Sequence, residues 1–335
     1  MKILQLREVG GPENLEINEI SKPEPGEEEV RVKIKSAALN RRDYWMTVGA
    51  YPGLSFPATP GSDGSGIVDA IGPNVDGVCI GDEVVIYPAL EWGDDPRCGG
   101  DSFRVLGMPD QGTFAEYICV PETSIMAKPK HLGWNEAAAI PLAGMTAWRA
   151  VVSQGQVQPG QKTLVTGIGG GCATFALTWA HRHGSEVFVT SGSEDKLSRA
   201  ESLGAKRGFN YKDPQWHKTL LKEEGGVDLV IDSGGGDGIH QVIDCLNPGG
   251  RYVFFGATLG NPKAGFNMAK LFFKQIRIQG TTMGSPIEFQ EMLNYVEKHR
   301  IAPVVDTIYP FEEAVSAHKK MESSEQMGKL VLKIG

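Results

Sequence analysis

Buried strands alternate with amphipathic helices from about residue 128 onward, and this alternation constrains the fold more than any other feature of the sequence. The strand "QKTLVTG" is followed by a helix, and the same order repeats through "SEVFVTS", "RGFNY", "VDLVIDSGG" and "RYVFFGA". Consecutive parallel strands need a crossover, which is right-handed in nearly all proteins. The repeat therefore predicts an α/β domain with a doubly wound parallel sheet.

The first 125 residues or so follow a different pattern, in which short strands are separated by Gly and Pro. The segment "EEVRVKIKSAAL" places Val30, Val32 and Ile34 on one face and charged residues on the other, as expected of a half-buried strand. We expect a compact β domain, with residues 89–112 forming a surface lobe because the excursion is too long for an ordinary loop. The final strand, "KLVLKI", is a candidate to return to this domain.

Net charge and cysteine content argue against several classes of protein, namely nucleic-acid-binding, membrane-binding and disulfide-rich secreted proteins. The net charge is −8 and the sequence pI about 5.5, which argues against nucleic acid or an anionic membrane as the main partner. The five cysteines are scattered, without a CxxC pair, so a reducing compartment is expected. No apolar run has the length of a membrane span, and the N-terminus does not resemble a secretory signal. We expect a cytoplasmic protein.

A glycine-rich run, "VTGIGGGCATFALTWA", follows a buried strand and opens a helix. Glycine lets the backbone approach a pyrophosphate, and the helix N-terminus offers free N–H groups. In this strand–turn–helix context the run predicts a dinucleotide site, with a turn that binds no ligand as the alternative. The residues expected at the pyrophosphate are Gly169, Gly170, Gly171 and Cys172.

The end of the second strand of that domain indicates which dinucleotide is bound. NAD-binding proteins place an acid there to hold the ribose 2′-OH, whereas this chain has Ser191, followed by Ser193 and Lys196. Hydroxyls and a lysine suit a 2′-phosphate, so we predict NADPH. Tyr211, after the third strand, is expected to line the same pocket. The alternative for Lys196 is a solvated helix face.

Taken together, the motifs resemble those of the medium-chain dehydrogenase/reductase superfamily over nearly the whole chain. The resemblance rests on "GSDGSGIVDAIG", "GDEVVIY", "GTFAEYICVP", "AAAIPLAGMTAWRA", the glycine-rich run and "GKLVLKIG". It implies a GroES-like β catalytic domain, residues 1–127 completed by 285–335, and a Rossmann NADP-binding domain, residues 128–284. It also implies an active site in the cleft between the domains.

The zinc-dependent members of that superfamily hold catalytic zinc with a Cys, a His-Glu pair and a second Cys. By motif alignment, those positions are Asn40, Ser62-Asp63 and Leu142 here, none of them a good zinc ligand. The lobe, which carries four close cysteines in those enzymes, holds only Cys98. We therefore predict no metal at either site.

Asn40 is typical of the quinone oxidoreductase branch, and "GAYP" resembles both that branch and the medium-chain enoyl-thioester reductases. The resemblance implies that the tyrosine of this segment, Tyr51, lies in the active site. We predict Tyr51 or Asn40 as the catalytic hydrogen-bond donor to the acceptor carbonyl, with water or a cofactor hydroxyl assisting. The alternative for Tyr51 is packing at a turn. Tyr44 and Trp92 are predicted to face the substrate cleft, with lobe packing as the alternative for Trp92.

The predicted function is NADPH-dependent hydride transfer, without catalytic zinc, to a quinone or an α,β-unsaturated carbonyl. The alternatives are an enoyl-thioester reductase and a non-catalytic NADPH-binding redox sensor or structural protein. A small-molecule substrate and a homodimer are the expected partners, the dimer being implied by the resemblance. The remaining residues expected to contact the cofactor are Thr146, Phe255, Gly256, Thr282 and Met283, with helix capping as the alternative for Thr146.

Overall fold

The computed structural model describes all 335 residues, which form two compact units, Met1–Met145 with Gly284–Gly335 and Thr146–Met283. This division falls later than the predicted boundary after residue 127. The reason is that the intervening segment is hydrogen-bonded to strands of the first unit: Ser36 Oγ lies 2.7 Å from Asn135 Oδ1, and Ser65 Oγ donates to the Trp134 carbonyl at 2.7 Å.

The amino-terminal part of the first unit consists mainly of β-strands. Its strands are β1 (Lys2–Leu6), β2 (Leu15–Glu19), β3 (Glu29–Ala38), β4 (Asp63–Ile71), β5 (Glu83–Ile86), β6 (Ala89–Leu90), β7 (Arg104–Val105), β8 (Tyr117–Pro121) and β9 (Ile125–Ala127). Its helices are α1 (Arg41–Thr47), α2 (Trp134–Ala138) and α3 (Pro141–Trp148), the last of which ends within the second unit. The short strands β6 and β7 pair with each other in the predicted lobe.

The second unit contains a six-stranded sheet in which every pairing is parallel. Its strands are β10 (Lys162–Val165), β11 (Glu186–Ser191), β12 (Ala205–Asn210), β13 (Val227–Asp232), β14 (Leu246–Phe254) and β15 (Arg277–Gly280). Its helices are α4 (Gly171–Arg182), α5 (Glu194–Ser202), α6 (Trp216–Glu224), α7 (Ile239–Asp244) and α8 (Met268–Lys274). The strand order β12-β11-β10-β13-β14-β15 confirms the predicted doubly wound sheet.

The chain then returns to the first unit through α9 (Pro286–His299), β16 (Val305–Pro310), α10 (Ala314–Ser323) and β17 (Lys329–Lys333). Strand β17 pairs antiparallel with β3, with Val331 opposite Ala38. This pairing confirms the expected return of the last strand and completes a seven-stranded sheet. None of the helices combines the length and the apolarity needed to cross a membrane.

Strand β3 shows the predicted alternation, with Val30, Val32 and Ile34 almost completely buried in the core of the first unit. Burying an aliphatic side chain of this size stabilises the fold by about 1.5–3 kcal/mol. Arg31, expected to face solvent, is also buried, because its Nε donates to Asp69 Oδ2 at 2.8 Å. A partner on the neighbouring strand thus overrides the alternation at this position.

His318 on α10 is a fully buried histidine in the same core. Its Nδ1 lies 2.7 Å from the Ala314 carbonyl, which only accepts, so Nδ1 carries the proton. Nε2 is buried without a partner, and the ring meets Phe114 edge to face. Burial lowers the pKa of His318 to about 4, because the charged imidazolium is poorly solvated there.

The His318→Phe variant tests this assignment. A histidine with a lowered pKa in the folded state stabilises the fold above its unfolded pKa, and that stability is lost as the pH falls from about 6.5 toward 4. Between about pH 7 and pH 4.5, we expect the free energy of unfolding to fall by about 2 kcal/mol more in the wild type than in the variant. Urea unfolding at both pH values measures the difference. Parallel pH dependence in the two proteins would contradict the prediction.

Candidate functional site

The buried carboxylate of Asp63 joins three distant segments of the first unit. Asp63 is the first residue of β4 and is completely inaccessible to solvent. Its Oδ1 accepts the Leu142 backbone N–H at 2.7 Å. Its Oδ2 accepts Asn40 Nδ2 at 2.9 Å and Lys329 Nζ at 2.8 Å. The carboxylate therefore connects the start of α1, the start of α3 and the start of β17.

Asn40 is the N-cap of α1, and two further contacts hold it in place. Its Oδ1 accepts Lys329 Nζ at 2.7 Å, and its backbone N–H donates to Asp43 Oδ2 at 2.8 Å. Asp43 is buried, and desolvation raises its pKa to about 6 even though the Asn40 N–H and the nearby Arg42 favour the carboxylate. Asn40, Asp63 and Lys329 form what we call the amide–ammonium cluster.

The ring of Tyr51, in the turn that follows α1, is held by the buried guanidinium of Arg42. Arg42 lies over the Tyr51 ring, with its Cζ 4.6 Å from the ring centroid. Arg42 also donates to Ser62 Oγ and to the Leu106 carbonyl, each at 2.5 Å. The half-buried Tyr51 makes no hydrogen bond through its hydroxyl within the chain. The contact fixes the ring of Tyr51 and leaves its O–H available as a donor.

The two residues predicted to face the cleft both have hydrogen-bond partners within the first unit. The Tyr44 hydroxyl donates to Glu322 Oε1 at 3.0 Å. Trp92 is only 2% exposed, lies edge-on to Phe103 with the ring centroids 5.1 Å apart, and donates its indole N–H to the Asp95 carbonyl at 3.2 Å. Packing in the lobe accounts for the burial of Trp92, so a substrate role for either residue stays a prediction.

The residues at the inferred zinc positions do not fit a zinc ion. Structural and catalytic zinc sites use Cys, His and carboxylate ligands, whereas these positions supply an amide, a hydroxyl, a leucine and one carboxylate that is already fully hydrogen-bonded. The Lys329 ammonium also lies against that carboxylate and would repel a second cation. No group of three or more His, Cys, Asp or Glu side chains in the structure is arranged to hold a metal.

The glycine-rich turn of the second unit connects β10 to α4 and is hydrogen-bonded to β11. Gly167 has a φ of +63°, which an L-residue adopts only with strain. The Gly167 N–H donates to Thr190 Oγ1 at 3.3 Å, and the Ile168 N–H donates to the Thr190 carbonyl at 3.0 Å. The first turn of α4 has amides that no preceding helical carbonyl can accept. Backbone amides at a helix start suit an anion such as a pyrophosphate, and contacts of Gly169, Gly170, Gly171 and Cys172 with one stay a prediction.

The four residues predicted for the 2′-phosphate lie together at the ends of β11 and β12. Ser191 Oγ accepts the Ser193 N–H at 3.2 Å, and Ser193 Oγ accepts the Lys196 N–H at 3.4 Å at the start of α5. The Tyr211 N–H donates to the Ser191 carbonyl at 3.1 Å. A Cβ added to Gly192 would lie 2.9 Å from the Tyr211 hydroxyl, so the glycine leaves room for that ring.

The buried carboxylate of Asp232, at the end of β13, was not predicted as a site residue. It accepts the N–H groups of Gly234 and Gly235, each at 3.0 Å, and the Tyr252 hydroxyl at 2.6 Å. Thr166, at the start of the glycine-rich turn, also donates to it. Asp232 therefore ties the turn after β10 to the turn after β13. Its position at the end of a buried strand was the available sequence signal.

The other residues predicted to contact the cofactor lie in the last part of α3 and in the connections that follow β14 and β15. The side chains of Thr146 and Met283 meet, with Oγ1 3.9 Å from Sδ, and Met283 has a φ of +47°. The Phe255 N–H donates to the Asp232 carbonyl at 3.1 Å. The contacts that these residues would make with a cofactor stay predictions. The two remaining predicted residues are Gly256 and Thr282.

Lys329 is a second site residue that the sequence does not single out, although it lies in the motif "GKLVLKIG". Alternation in β17 does not distinguish it, because residues 329–332 are all buried. A lysine at each end of an apolar strand is the only sequence signal, and it identifies neither which lysine is buried nor its partner.

Two family models match the chain. The model described as "Alcohol dehydrogenase GroES-like domain" matches residues 26–130, and the model described as "Zinc-binding dehydrogenase" matches residues 171–298. The two matches fall in the first and mainly in the second unit, respectively.

Similar proteins cover nearly the whole chain. A "Zinc-type alcohol dehydrogenase-like protein YogA" from Leptosphaeria maculans is 37% identical over 96% of this chain and 94% of its own length. The mouse "Quinone oxidoreductase" is 27% identical over 99% of this chain and 97% of its own length. A crystal structure of an "NAD-dependent alcohol dehydrogenase" is 40% identical, covers 100% of both chains and superimposes with a TM-score of 0.94. With these matches and the two-unit architecture, the chain belongs to the medium-chain dehydrogenase/reductase superfamily and is an oxidoreductase of that family.

Proposed function

We propose that the protein is an NADPH-dependent reductase that transfers a hydride to a quinone or an α,β-unsaturated carbonyl without catalytic zinc. The amide–ammonium cluster carries this proposal. Where the superfamily's zinc enzymes place metal ligands, this chain has Asn40, Ser62-Asp63 and Leu142, with the Lys329 ammonium bonded to two of them. Simple alcohol oxidation is disfavoured, because in this superfamily it commonly relies on zinc to stabilise an alkoxide.

The residues of the first unit supply the electrostatic part of the reaction. The nicotinamide, when bound, provides the hydride and the chain provides orientation. A reduced quinone or enone develops negative charge on its oxygen, and preorganised donors stabilise that charge. We assign this role to the amide of Asn40 and the hydroxyl of Tyr51. Asn40 caps α1, and Tyr51 stacks on Arg42 of the same helix.

The preference for NADPH rests on the end of β11. No acid occupies the position that would hold a ribose 2′-OH, and the hydroxyls of Ser191 and Ser193, Lys196 and Tyr211 suit a 2′-phosphate instead. Because one similar solved structure is that of an "NAD-dependent alcohol dehydrogenase", the cofactor is the first property to test.

The Lys196→Met variant tests the cofactor assignment. Removing one cation from the 2′-phosphate pocket is expected to raise the Kd for NADPH about tenfold, or about 1.4 kcal/mol, and to leave the weaker NADH binding unchanged. Fluorescence titration of both cofactors measures the two constants. Lys218→Met, an exposed lysine on α6, is the matched control and should change neither. Tighter binding of NADH than NADPH by the wild type would contradict the assignment.

Asn40→Ala and Tyr51→Phe test the donor assignment. Each removes one hydrogen bond to the developing oxyanion, so kcat should fall by about tenfold to a hundredfold, while the Kd for NADPH changes little. Steady-state NADPH oxidation with ortho-quinones, alkenals and enoyl-CoA thioesters measures the effect and ranks the acceptors. If both variants keep full turnover on the preferred acceptor, the assignment is wrong.

The same acceptor panel separates the alternative functions. A preference for enoyl-CoA over small enones would support an enoyl-thioester reductase, which "GAYP" and Tyr51 also suit. NADPH binding without turnover on any acceptor would support a redox sensor or a structural role. A cytoplasmic location is part of the proposal, since the five cysteines are all unpaired.

A homodimer through the edge of the second unit is also part of the proposal. Strand β15 is an edge strand paired only with β14, and each of its four residues is exposed. The neighbouring helix α8 exposes Met268, Phe272 and Phe273, the last at 77%. An open strand edge beside exposed aromatic side chains suits pairing with an identical strand.

The Phe273→Glu variant tests this interface. Placing a charge in the apolar surface is expected to shift the protein from dimer to monomer in sedimentation experiments, because the carboxylate would be desolvated on association. Ile80→Glu, at an exposed position in the first unit, is the control and should remain dimeric. A monomeric wild type, or a dimeric Phe273→Glu variant, would contradict the interface.

A further inference from the structure

Lys329 belongs to an ion pair that is buried at both ends. Its side chain is 3% exposed, and that of Asp63 is completely buried. Taking two charges out of water is costly, and a buried pair often adds no net stability compared with apolar side chains of similar size. Such a pair is better explained by the geometry that it imposes on its neighbours. The neighbour that both charges contact is Asn40.

The chemistry of the two charges decides which way the Asn40 side chain points. An ammonium only donates hydrogen bonds, so the amide oxygen must face Lys329. A carboxylate only accepts, so the amide nitrogen must face Asp63. The distances of 2.7 Å and 2.9 Å agree with this orientation. If either Lys329 or Asp63 lost its charge, only one partner would still disfavour the Asn40 amide with its oxygen and nitrogen exchanged.

One hydrogen of the Asn40 amide remains unused in this arrangement. The nitrogen carries two hydrogens, and Asp63 Oδ2 is its only acceptor within the chain. The reversed orientation would present the amide oxygen instead, which would repel a negatively charged acceptor oxygen. The function of Asn40 as a donor therefore depends on its being held in one of two orientations.

We propose that Lys329 is the positioning residue that holds Asn40 as a one-directional hydrogen-bond donor for the reduced acceptor. This inference rests on the proposed function, in which Asn40 donates to the developing oxyanion. The ammonium bonds Asn40 and Asp63, two of the positions that the zinc enzymes of the superfamily use around their metal. It acts through the orientation of an amide and does not polarise the substrate directly.

The kinetic test uses two variants and one control. Lys329→Met removes the ammonium but leaves the Asp63 carboxylate buried without its cation, which is strongly destabilising. The double variant Asp63→Asn with Lys329→Met removes both charges, so that no unpaired charge stays buried. Lys333→Met, on the exposed end of β17, is the control.

We expect kcat to fall at least tenfold in the double variant, and in Lys329→Met where it folds, with the Kd for NADPH within about twofold of wild type. Lys333→Met should match the wild type in both. A purely structural role would lower the Tm and the active fraction but not kcat per active site. A kcat within about twofold of wild type in the folded double variant would overturn the inference.

Nuclear magnetic resonance of the Asn40 side-chain amide gives a readout that needs no substrate. The signals are assigned by their loss in Asn40→Ala. In the wild type we expect two well-separated amide protons, one of them protected from solvent exchange by Asp63, and in the Lys329 variants faster exchange and altered shifts. Unchanged signals would overturn the positioning role. If no acceptor is reduced but the signals depend on Lys329, the proposed function fails while the positioning role stands.

Discussion

The antiparallel pairing of β17 with β3 is the constraint on which the first unit depends. Its register places Val331 opposite Ala38 and so brings Lys329, at the start of β17, to the segment that follows β3. A slip of one residue would turn the lysine to the other face of the sheet. The pairing completes the sheet and also supplies the cation against which Asp63 and Asn40 are ordered.

In the second unit the buried carboxylate of Asp232 also joins separate segments, but all of its hydrogen-bond donors are uncharged. Asp232 accepts hydrogen bonds from two glycine amides, from Tyr252 and from Thr166, and so holds the turns after β10 and β13 in a common arrangement. Glycine-rich turns are conformationally costly to order, and a buried acceptor with several donors offsets part of that cost. In both units, one buried carboxylate defines the local geometry of the site.

Much of the fold could be predicted from the sequence because its signals are local. The strand–helix repeat and the alternation of Val30, Val32 and Ile34 depend on residues close in the chain, and both are confirmed. The gathering of Ser191, Ser193 and Lys196 also follows from one strand end and one helix start. The burial of Arg31 was not predictable in this way, since it depends on Asp69 of the neighbouring strand.

The sequence by itself determined the α/β class, the glycine-rich turn, the absence of an acid at Ser191 and the poor match of Asn40, Ser62 and Leu142 to zinc ligands. Each follows from residue type and short-range spacing. Only the tertiary structure decided that the Lys329 ammonium lies between Asn40 and Asp63, at the inferred zinc positions. Lys329 meets Asp63 across 266 positions of chain, and such a contact is set by the register of paired strands, for which no local pattern in the sequence carries a signal.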